Sequence, residues 1–548
     1  MRVVPCFSRV FMSLVVLLTA AIGCSRKETP VDAGTKAQIL HLANGSELAT
    51  LDPHIATGVP EHTPITQIFS GLVGESAEDN SPLPEMAESW KISADGKMYT
   101  FTMRSGAIWT NGDPVTASDF VQSWERVLSP KLASEYAYIL FQVKNAREFN
   151  EGKVTDFSKV GVKATDPRTL VVELNNPTPY FLRILQHYST FPVHRASIEK
   201  IGGFYDRNTS WVKPGIVVGN GPFTLERWDL NKVLVLKKNP KYYDAATVRL
   251  NEVHLYPIDS LQTEERMFRA GQLHATYEIP LQKIKTYREK EPHLIKLDLY
   301  LGTYVYRLNH KRKPTDNVKV RRALAMSIDR KAIVENITNG GELPAYSFTP
   351  PGTSGFNAKA AVEYNPEKAR KLLAEAGYPG GQGFPHIDIH FNTSEKHKTI
   401  AEAVQQMWKR ELSIDVGLMN VDWKVYLDNT KKGDYFVSRL GWIGDYPDPN
   451  VFLDMWVTGS GNNQTGYSSR RYDDLVLQSQ RVQGEKRFEY FQQLEQLIVD
   501  DVPIIPVYHY VHVRLLSPDV KGWYGNLLDH HPLRYVYLSR ESQVAQKQ

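Results

Sequence analysis

The sequence has very little cysteine. Of its 548 residues only two are cysteines, Cys6 and Cys24, and both lie close to the amino terminus. Thiol catalysis and an internal disulfide are therefore excluded from the rest of the chain. A chain of this length with 42% hydrophobic residues can bury a large core, and its size predicts about three domains held together by packing alone.

The motifs of hydrolytic and metal-dependent enzymes are also missing. There is no G-x-S-x-G nucleophile elbow and no H-E-x-x-H helix. His509 and His512 lie in a predicted strand, where their side chains would point to opposite faces, and the adjacent His530 and His531 have the same problem. We therefore predict no catalytic residues, no metal site and no cofactor.

Charge of one sign is not concentrated anywhere in the chain. Lysine and arginine number 65 against 61 aspartates and glutamates, and the formal net charge is +4. No basic block or aromatic-basic stripe of the kind that follows a phosphate backbone is present. Nucleic acid is therefore not expected as a partner.

The amino terminus has the form of an export signal. Arg2 and Arg9 precede an uncharged run from Val10 to Gly23 that ends at Cys24. The run has about 14 residues, shorter than the roughly 20 that span a bilayer, and this predicts a cleaved signal peptide over 1–23. The residues before Cys24 resemble a bacterial lipoprotein cleavage site, which implies a lipidated Cys24 and a polar tether over 24–36. We expect a protein of the periplasm or cell envelope, anchored to a membrane through Cys24.

The most informative segment runs from Pro84 to Trp124. Tyr99, Phe101 and Met103 alternate with polar residues, as in a strand buried on one face. Thr116 lies three residues before Asp119, the spacing of a capping box at the start of a helix. Before this segment a helix is predicted over 65–73. Further along the chain, strands alternate with amphipathic helices, which predicts α/β domains.

A second informative segment runs from Ser438 to Pro449. It is predicted to be a strand that opens into a proline-rich loop, with Arg439, Gly441 and Ile443 on one side and Leu440 and Trp442 on the other. An extended peptide could pair with such an edge through its backbone. Composition alone favours the simpler interpretation, a core strand that ends in a turn.

The order of the motifs AESW, DGK-YTF, W-NGDPVTA-DF and SW in the first segment closely resembles the signature of the family 5 extracellular solute-binding proteins, the receptors of peptide-importing ABC transporters. The resemblance implies a periplasmic binding protein-like α/β fold, with two lobes joined by a two-segment hinge and an extra α/β subdomain. The implied parts are lobe I (37–69, 195–300 and 514–548), subdomain II (70–194) and lobe III (301–513). It also implies a monomer that captures short peptides between the lobes and delivers them to an inner-membrane ABC permease.

The same resemblance implies roles for single residues. Asp445 would pair with the α-ammonium of the peptide, and Arg439 and His397 with its carboxylate. Val59, Gly441 and Ile443 would pair with the peptide backbone. The side-chain pockets would be lined by five aromatic residues, namely Tyr136, Tyr300, Trp423, Trp442 and Tyr510.

The sequence departs from the family at two places. Thr57 stands where the enteric relatives have a glutamate, so an acidic partner for basic ligand groups is missing. Gly302 and Ile443 stand where the family has a disulfide. A dedicated receptor for cell-wall (murein) or signalling peptides therefore stays open as an alternative, and an exported hydrolase or a lipid-anchored adhesin as alternatives of other classes.

Overall fold

The computed structural model describes residues 28–207 and 210–540, so the predicted signal peptide and Cys24 lie outside the described residues. The strands are β1 Ile39–Ala43, β2 Val73–Glu75, β3 Pro82–Pro84, β4 Ala87–Ile92, β5 Met98–Met103, β6 Val162–Asp166, β7 Thr169–Glu173, β8 Phe223–Asp229, β9 Val233–Lys238, β10 Glu252–Tyr256, β11 Ile295–Leu308, β12 Leu343–Pro344, β13 Asp388–Asn392, β14 Gly417–Val421, β15 Val437–Ile443, β16 Ile504–Leu515, β17 Val520–Lys521 and β18 Tyr537–Leu538. The helices of seven or more residues are α1 Pro30–Ala37, α2 Val59–Ile68, α3 Ala117–Leu128, α4 Leu261–Arg269, α5 Ile284–Lys290, α6 Val318–Met326, α7 Pro366–Glu375, α8 Glu395–Leu412, α9 Trp423–Lys432, α10 Arg470–Ser479 and α11 Gly484–Asp501.

Three larger sheets organise the molecule. Lobe I contains a four-stranded sheet in the order β1-β10-β9-β8, and subdomain II contains an antiparallel sheet in the order β4-β5-β7-β6. Lobe III contains a six-stranded mixed sheet in the order β12-β16-β11-β15-β13-β14. Helices pack against these sheets, which confirms the predicted α/β class.

The signature segment of subdomain II folds as its sequence predicts. Phe101 in β5 is fully buried, and Thr116 forms a capping box with Asp119 at the start of α3. Trp124 on this helix is also buried, and its indole N–H donates to the carbonyl of Thr190 at 2.9 Å. The motif residues therefore build the core of the subdomain.

Two long strands cross the predicted boundary between lobe I and lobe III. The first part of β11, Ile295–Leu299, pairs with Val511–Leu515 of β16, and the rest of both strands lies inside the sheet of lobe III. The pairing is irregular between Leu299 and Thr303. The predicted lobe boundaries at 300/301 and 513/514 fall within these continuous strands.

Two sequence predictions near the amino terminus need correction. The predicted tether over 24–36 is too long, because Pro30–Ala37 forms α1, capped by a Thr29–Asp32 capping box that the prediction overlooked. The helix predicted over 65–73 is displaced, because α2 begins at Val59 and ends at Ile68. Pro60 occupies the first turn of α2, where the missing N–H of proline removes no hydrogen bond of the helix.

Candidate functional site

A cavity of about 330 Å³ lies between the lobes. All eleven residues that the sequence analysis assigned to the ligand line its walls: Val59, Tyr136, Tyr300, His397, Trp423, Arg439, Gly441, Trp442, Ile443, Asp445 and Tyr510. They come from lobe I, subdomain II and lobe III, and up to 451 positions separate them in the sequence. Their roles toward a ligand stay predictions; their convergence on one cleft is an observation.

The backbone of β15 forms one wall of this cleft. On one side β15 pairs with β11 along its whole length, but on the other side β13 pairs only with Val437 and Ser438. Since the N–H of Gly444 donates to Leu301 of β11, alternation directs the backbone groups of Gly441 and Ile443 away from β11, toward the open edge. An extended chain could add to the sheet there.

Gly441 is required by close packing at this edge. A Cβ atom at this position would lie 2.5 Å from the Tyr510 hydroxyl oxygen and 3.0 Å from Nη2 of Arg439. Val59, which was predicted to pair with the peptide backbone, is the first residue of α2 and is not part of a strand. It can offer a free N–H of the first helical turn, since these groups have no partner within a helix.

Asp445 follows directly after β15 and is the negative end of the site. Burial raises the pKa of its carboxyl group to about 7, against a weaker opposing effect of His530. His187 approaches one carboxylate oxygen at 3.4 Å, but burial lowers the pKa of His187 to about 3, so this ring is neutral. The other oxygen, Oδ2, has no hydrogen-bond partner among the described residues. A buried carboxylate of this kind is stabilised when a cation pairs with it.

Arg439, near the start of β15, is the positive end. Its guanidinium donates to Asn392 at 3.3 Å and to the Tyr510 hydroxyl at 3.1 Å, and it lies over the ring of Tyr304. Its Nε has no partner, and within the described ranges no carboxylate forms an ion pair with it. An arginine side chain stays charged at any physiological pH, so the guanidinium of Arg439 is suited to bind an anionic group.

His397 lies beside Arg439, in the first turn of α8, whose N-cap is Ser394. Burial, together with the charges of Arg439 and Lys396, holds the pKa of His397 well below its usual range. The ring is therefore neutral, and its Nδ1 has no partner in the described structure. His397 can add one hydrogen bond to an anion, but no charge.

The predicted aromatic residues form the remaining walls. Tyr300 lies between Tyr510 and His512, with ring centroids 6.0 and 5.4 Å away. Trp423 donates to Glu61 across the cleft at 3.3 Å, and Trp442 is tied to the carbonyl of Val451 at 2.8 Å. These contacts hold the rings in place as rigid walls.

The two positions without the family cysteines face each other. Gly302 of β11 pairs directly with Ile443 of β15. A Cβ atom on Gly302 would lie 2.4 Å from Cδ1 of Ile443, so the large side chain fills the space that the glycine leaves. Packing therefore replaces a covalent link at this point.

Sequence reasoning missed several charged residues of the cleft. Arg307 of β11 is buried and lines the cavity, and its guanidinium donates to the Tyr426 hydroxyl at 3.0 Å, without a carboxylate partner in the part of the chain described. Its only sequence signal was that it is the one charged residue in the stretch from Leu299 to Leu308. His62, Glu75 and His530 also line the cavity, and nothing in the sequence connects them.

Two lobes that enclose a cleft with a charge of opposite sign at each end define a solute-binding receptor. Comparison with known families agrees, because "Bacterial extracellular solute-binding proteins, family 5 Middle" matches residues 81–464. The chain belongs to this family.

Relatives and solved structures resemble it over nearly the whole chain. The periplasmic oligopeptide-binding protein OppA of Salmonella typhimurium is 38% identical over 538 residues, which cover 95% of this chain and 96% of that protein. The crystal structure of Haemophilus influenzae OppA in complex with the peptide RPPGFSPFR has a TM-score of 0.87 at 35% identity, covering 92% of this chain and 99% of that chain.

Two structures of the murein tripeptide binding protein MppA of Escherichia coli differ in how closely they resemble this chain. One structure of MppA has a TM-score of 0.87 to this chain, and its unliganded open form has 0.61, both at 34% identity and both covering 92% of this chain. They cover 99% and 98% of the respective MppA chains. The arrangement of the lobes here is therefore more similar to that in the first of these MppA structures than to that in the unliganded open form.

None of the helices described is both long and apolar enough to cross a membrane.

Proposed function

We propose that this protein is the substrate-binding receptor of an ABC importer, and that it captures short peptides between its lobes for delivery to a membrane permease. One observation carries the proposal. The open edge of β15 has an unpaired buried carboxylate, Asp445, at one end and a guanidinium without an acidic partner, Arg439, at the other. A peptide in extended form has the complementary charges at its two ends.

The backbone of the peptide would add as a strand to β15. Main-chain hydrogen bonds to Gly441 and Ile443 supply affinity without regard to sequence, and the side chains enter pockets lined by the five aromatic residues. Six positions separate Arg439 from Asp445, which corresponds to roughly 20 Å along a strand. The site therefore suits an extended ligand of up to about six residues.

Titration calorimetry with a tripeptide, a tetrapeptide and a pentapeptide tests the proposal. We expect saturable one-to-one binding without turnover of the peptide. Acetylation of the amino terminus or amidation of the carboxyl terminus should each weaken binding at least tenfold, because each leaves a buried charge unpaired. In Asp445→Asn the free and the acetylated peptide should bind with equal affinity, because this variant has no carboxylate to pair with the ammonium of the free peptide.

Asp415→Asn is the matched control, because the side chain of Asp415 is 82% exposed and lies outside the cavity. It should bind every peptide as the unmodified protein does. Wild-type affinity in Asp445→Asn, or equal affinity for free and acetylated peptides, would overturn the ammonium site. Hydrolysis of the peptides would favour the hydrolase alternative.

A dedicated receptor for cell-wall peptides is the second candidate. The similarity to MppA favours it, since that relative is a murein peptide-binding protein 35% identical over 487 residues. Native mass spectrometry of the protein purified without refolding separates the two candidates. A ladder of bound masses supports a broad peptide receptor, and a single mass supports the dedicated one.

We infer the location of the protein from its amino-terminal sequence. Cleavage before Cys24 and lipidation of its thiol would anchor the receptor to a membrane of the cell envelope, next to its permease. Mass spectrometry of the membrane fraction should detect a mature chain that begins at Cys24 and carries acyl chains. Cys24→Ser should release the protein from the membrane, and an unchanged distribution would contradict the anchor.

A further inference from the structure

Three side chains that can ligate a metal converge on the inner end of the cleft. His62 comes from the first half of α2, Glu75 is the last residue of β2, and His530 lies in the carboxyl-terminal segment. One ligand atom from each lies within 4.8 Å of the other two. All three residues line the cavity, and all are partly buried, so they face the space where a ligand would lie.

The donors in this cluster are available. No hydrogen bond among the described residues engages the ring nitrogens of His62, which stacks on His530 with ring centroids 3.9 Å apart. Nδ1 of His530 contacts the Glu75 carboxylate at 2.9 Å. Glu75 forms no ion pair with a lysine or arginine in the described ranges, so its charge is balanced only through His530.

The neighbouring acidic group is engaged elsewhere. Asp529 is held by Arg514, by His512 and by His531. This network leaves the cluster of His62, Glu75 and His530 as a separate group. The carboxyl group of Asp445 also interacts with His530, and its Oδ2 has no partner among the described residues.

The position of His530 is fixed by its surroundings. The side-chain oxygen of Asn526 accepts from the N–H of His530 at 3.1 Å, and the amide nitrogen of Asn526 donates to the carbonyls of His530 and Ala77, at 2.6 and 3.0 Å. One asparagine thus ties the carboxyl-terminal segment to the loop that follows Glu75. These hydrogen bonds hold the main chain of His530, and thereby the position from which its ring extends.

We propose that His62, Glu75 and His530 bind a divalent transition-metal ion of the zinc or nickel class, with open coordination positions directed toward Asp445. Two imidazoles and one carboxylate suit these ions, whereas magnesium and calcium prefer oxygen ligands. Three protein ligands leave a fourth position for another group, as in catalytic zinc sites. Metal-to-ligand bonds of about 2.0–2.2 Å require the three atoms to draw together, and the stacked rings to turn so that their nitrogens converge.

The site lies where the amino end of a peptide is expected, and this part of the inference rests on the proposed function. An α-amino group that has lost its proton, together with the first carbonyl oxygen, can occupy the open positions of the ion. The cleft would then accept a transition-metal ion either alone or chelated by the amino end of a peptide. Glu75 and Asp445 would supply the negative charge that balances the ion.

Equilibrium dialysis and titration calorimetry with Zn²⁺ and with Ni²⁺ test the site. The protein carries no affinity tag and is first freed of metal with EDTA. We expect one ion per chain, and Co²⁺ in its place should give the intense visible absorption of a four-coordinate site. Glu75→Gln and His62→Gln should each weaken binding at least tenfold, while the amide in Glu75→Gln preserves the shape of the pocket.

His386→Gln is the matched control, because His386 faces Asp388 at 3.3 Å on the surface of lobe III with 69% of its side chain exposed. It should bind the ion as the unmodified protein does. Absence of stoichiometric binding, or equal binding in all variants, would overturn the metal site. Equal binding would instead point to another histidine group, such as His41, His254 and His274 in lobe I.

A peptide titration separates this inference from the proposed function. With Zn²⁺ present, a free tripeptide should bind at least fivefold more tightly than in EDTA, and its acetylated form should show no such gain. Peptide binding without any metal binding overturns the metal site and leaves the proposed function standing. Metal binding without peptide binding would overturn the proposed function and the link between the ion and a peptide.

Discussion

At the scale of single residues, the buried Asp445 lowers the stability of the folded protein when no ligand is bound. Its pKa of about 7 lies above the value of 3.8 in an unfolded chain, so the contribution of this group to stability is complete below pH 4 and is lost as the pH rises through 7. The shift corresponds to about 4 kcal/mol. Asp445→Asn should therefore raise the melting temperature of the empty protein at pH 8 and change it little at pH 4. Thermal unfolding at both pH values measures this, and a lower melting temperature at pH 8 would contradict it.

The same carboxyl group predicts how binding depends on pH. In the proposed complex the peptide ammonium pairs with the ionised form of Asp445, and ionisation of this group is incomplete below pH 7 in the empty cleft. We expect the affinity for peptides to fall by up to tenfold for each pH unit below 7, and to fall again above pH 8 as the α-amino group loses its proton. Calorimetry between pH 5 and 9 measures this profile. In Asp445→Asn the acidic limb should be absent.

At the scale of secondary-structure elements, a buried ion pair ties lobe I to subdomain II. Arg126 on α3 donates to both oxygens of Asp52, at 2.9 and 2.6 Å, and also contacts His54. Burial acts to raise the pKa of Asp52, but the guanidinium outweighs it and lowers the pKa. Asp52→Asn should cost about 3–5 kcal/mol of unfolding free energy, because it leaves the arginine buried without its counter-charge. Denaturant unfolding measures the loss.

The exposed pair of Arg195 and Glu199 is the control for this prediction. Both side chains are at least 40% exposed, so Glu199→Gln should cost less than about 1 kcal/mol. Peptide affinity should survive in the folded fraction of Asp52→Asn, since Asp52 does not line the cavity. A similar small loss in both variants would mean that the buried pair contributes little.

The elements also show what the sequence could reveal. Local patterns located β5, the start of α3 and the two sides of β15, because alternation and capping are properties of neighbouring residues. Contacts between residues that are distant in sequence have no such local signal. His62 and His530 stack although 468 positions separate them, and Arg307 resembled an ordinary strand residue. The start of α2 was misplaced because its N-cap, Gly58, has no capping side chain that would mark the beginning of a helix.

At the scale of the whole molecule, closure of the lobes depends on contacts that exist only when they meet. On the rim of the cleft, Lys431 of α9 in lobe III pairs with Glu135 of subdomain II at 2.9 Å, and Glu135 is held in place by Arg207 of its own side. Glu135 is 11% exposed, so this pair is screened less than an ordinary surface pair. Deeper in the cleft, Lys396 of lobe III pairs with Glu278 of lobe I at 3.2 Å.

Lys431→Gln should therefore weaken peptide binding without touching the peptide. Loss of about 1 kcal/mol from the closed form corresponds to roughly fivefold lower affinity, and it should appear mainly as faster release. Lys432→Gln is the matched control, because the adjacent lysine pairs with Asp428 within the same helix and does not reach the other side. Calorimetry and stopped-flow release measure both variants. Equal affinities of Lys431→Gln and the unmodified protein would mean that the pair of Lys431 and Glu135 does not stabilise the closed form. The buried ligand and the inner contacts alone would then hold the lobes together.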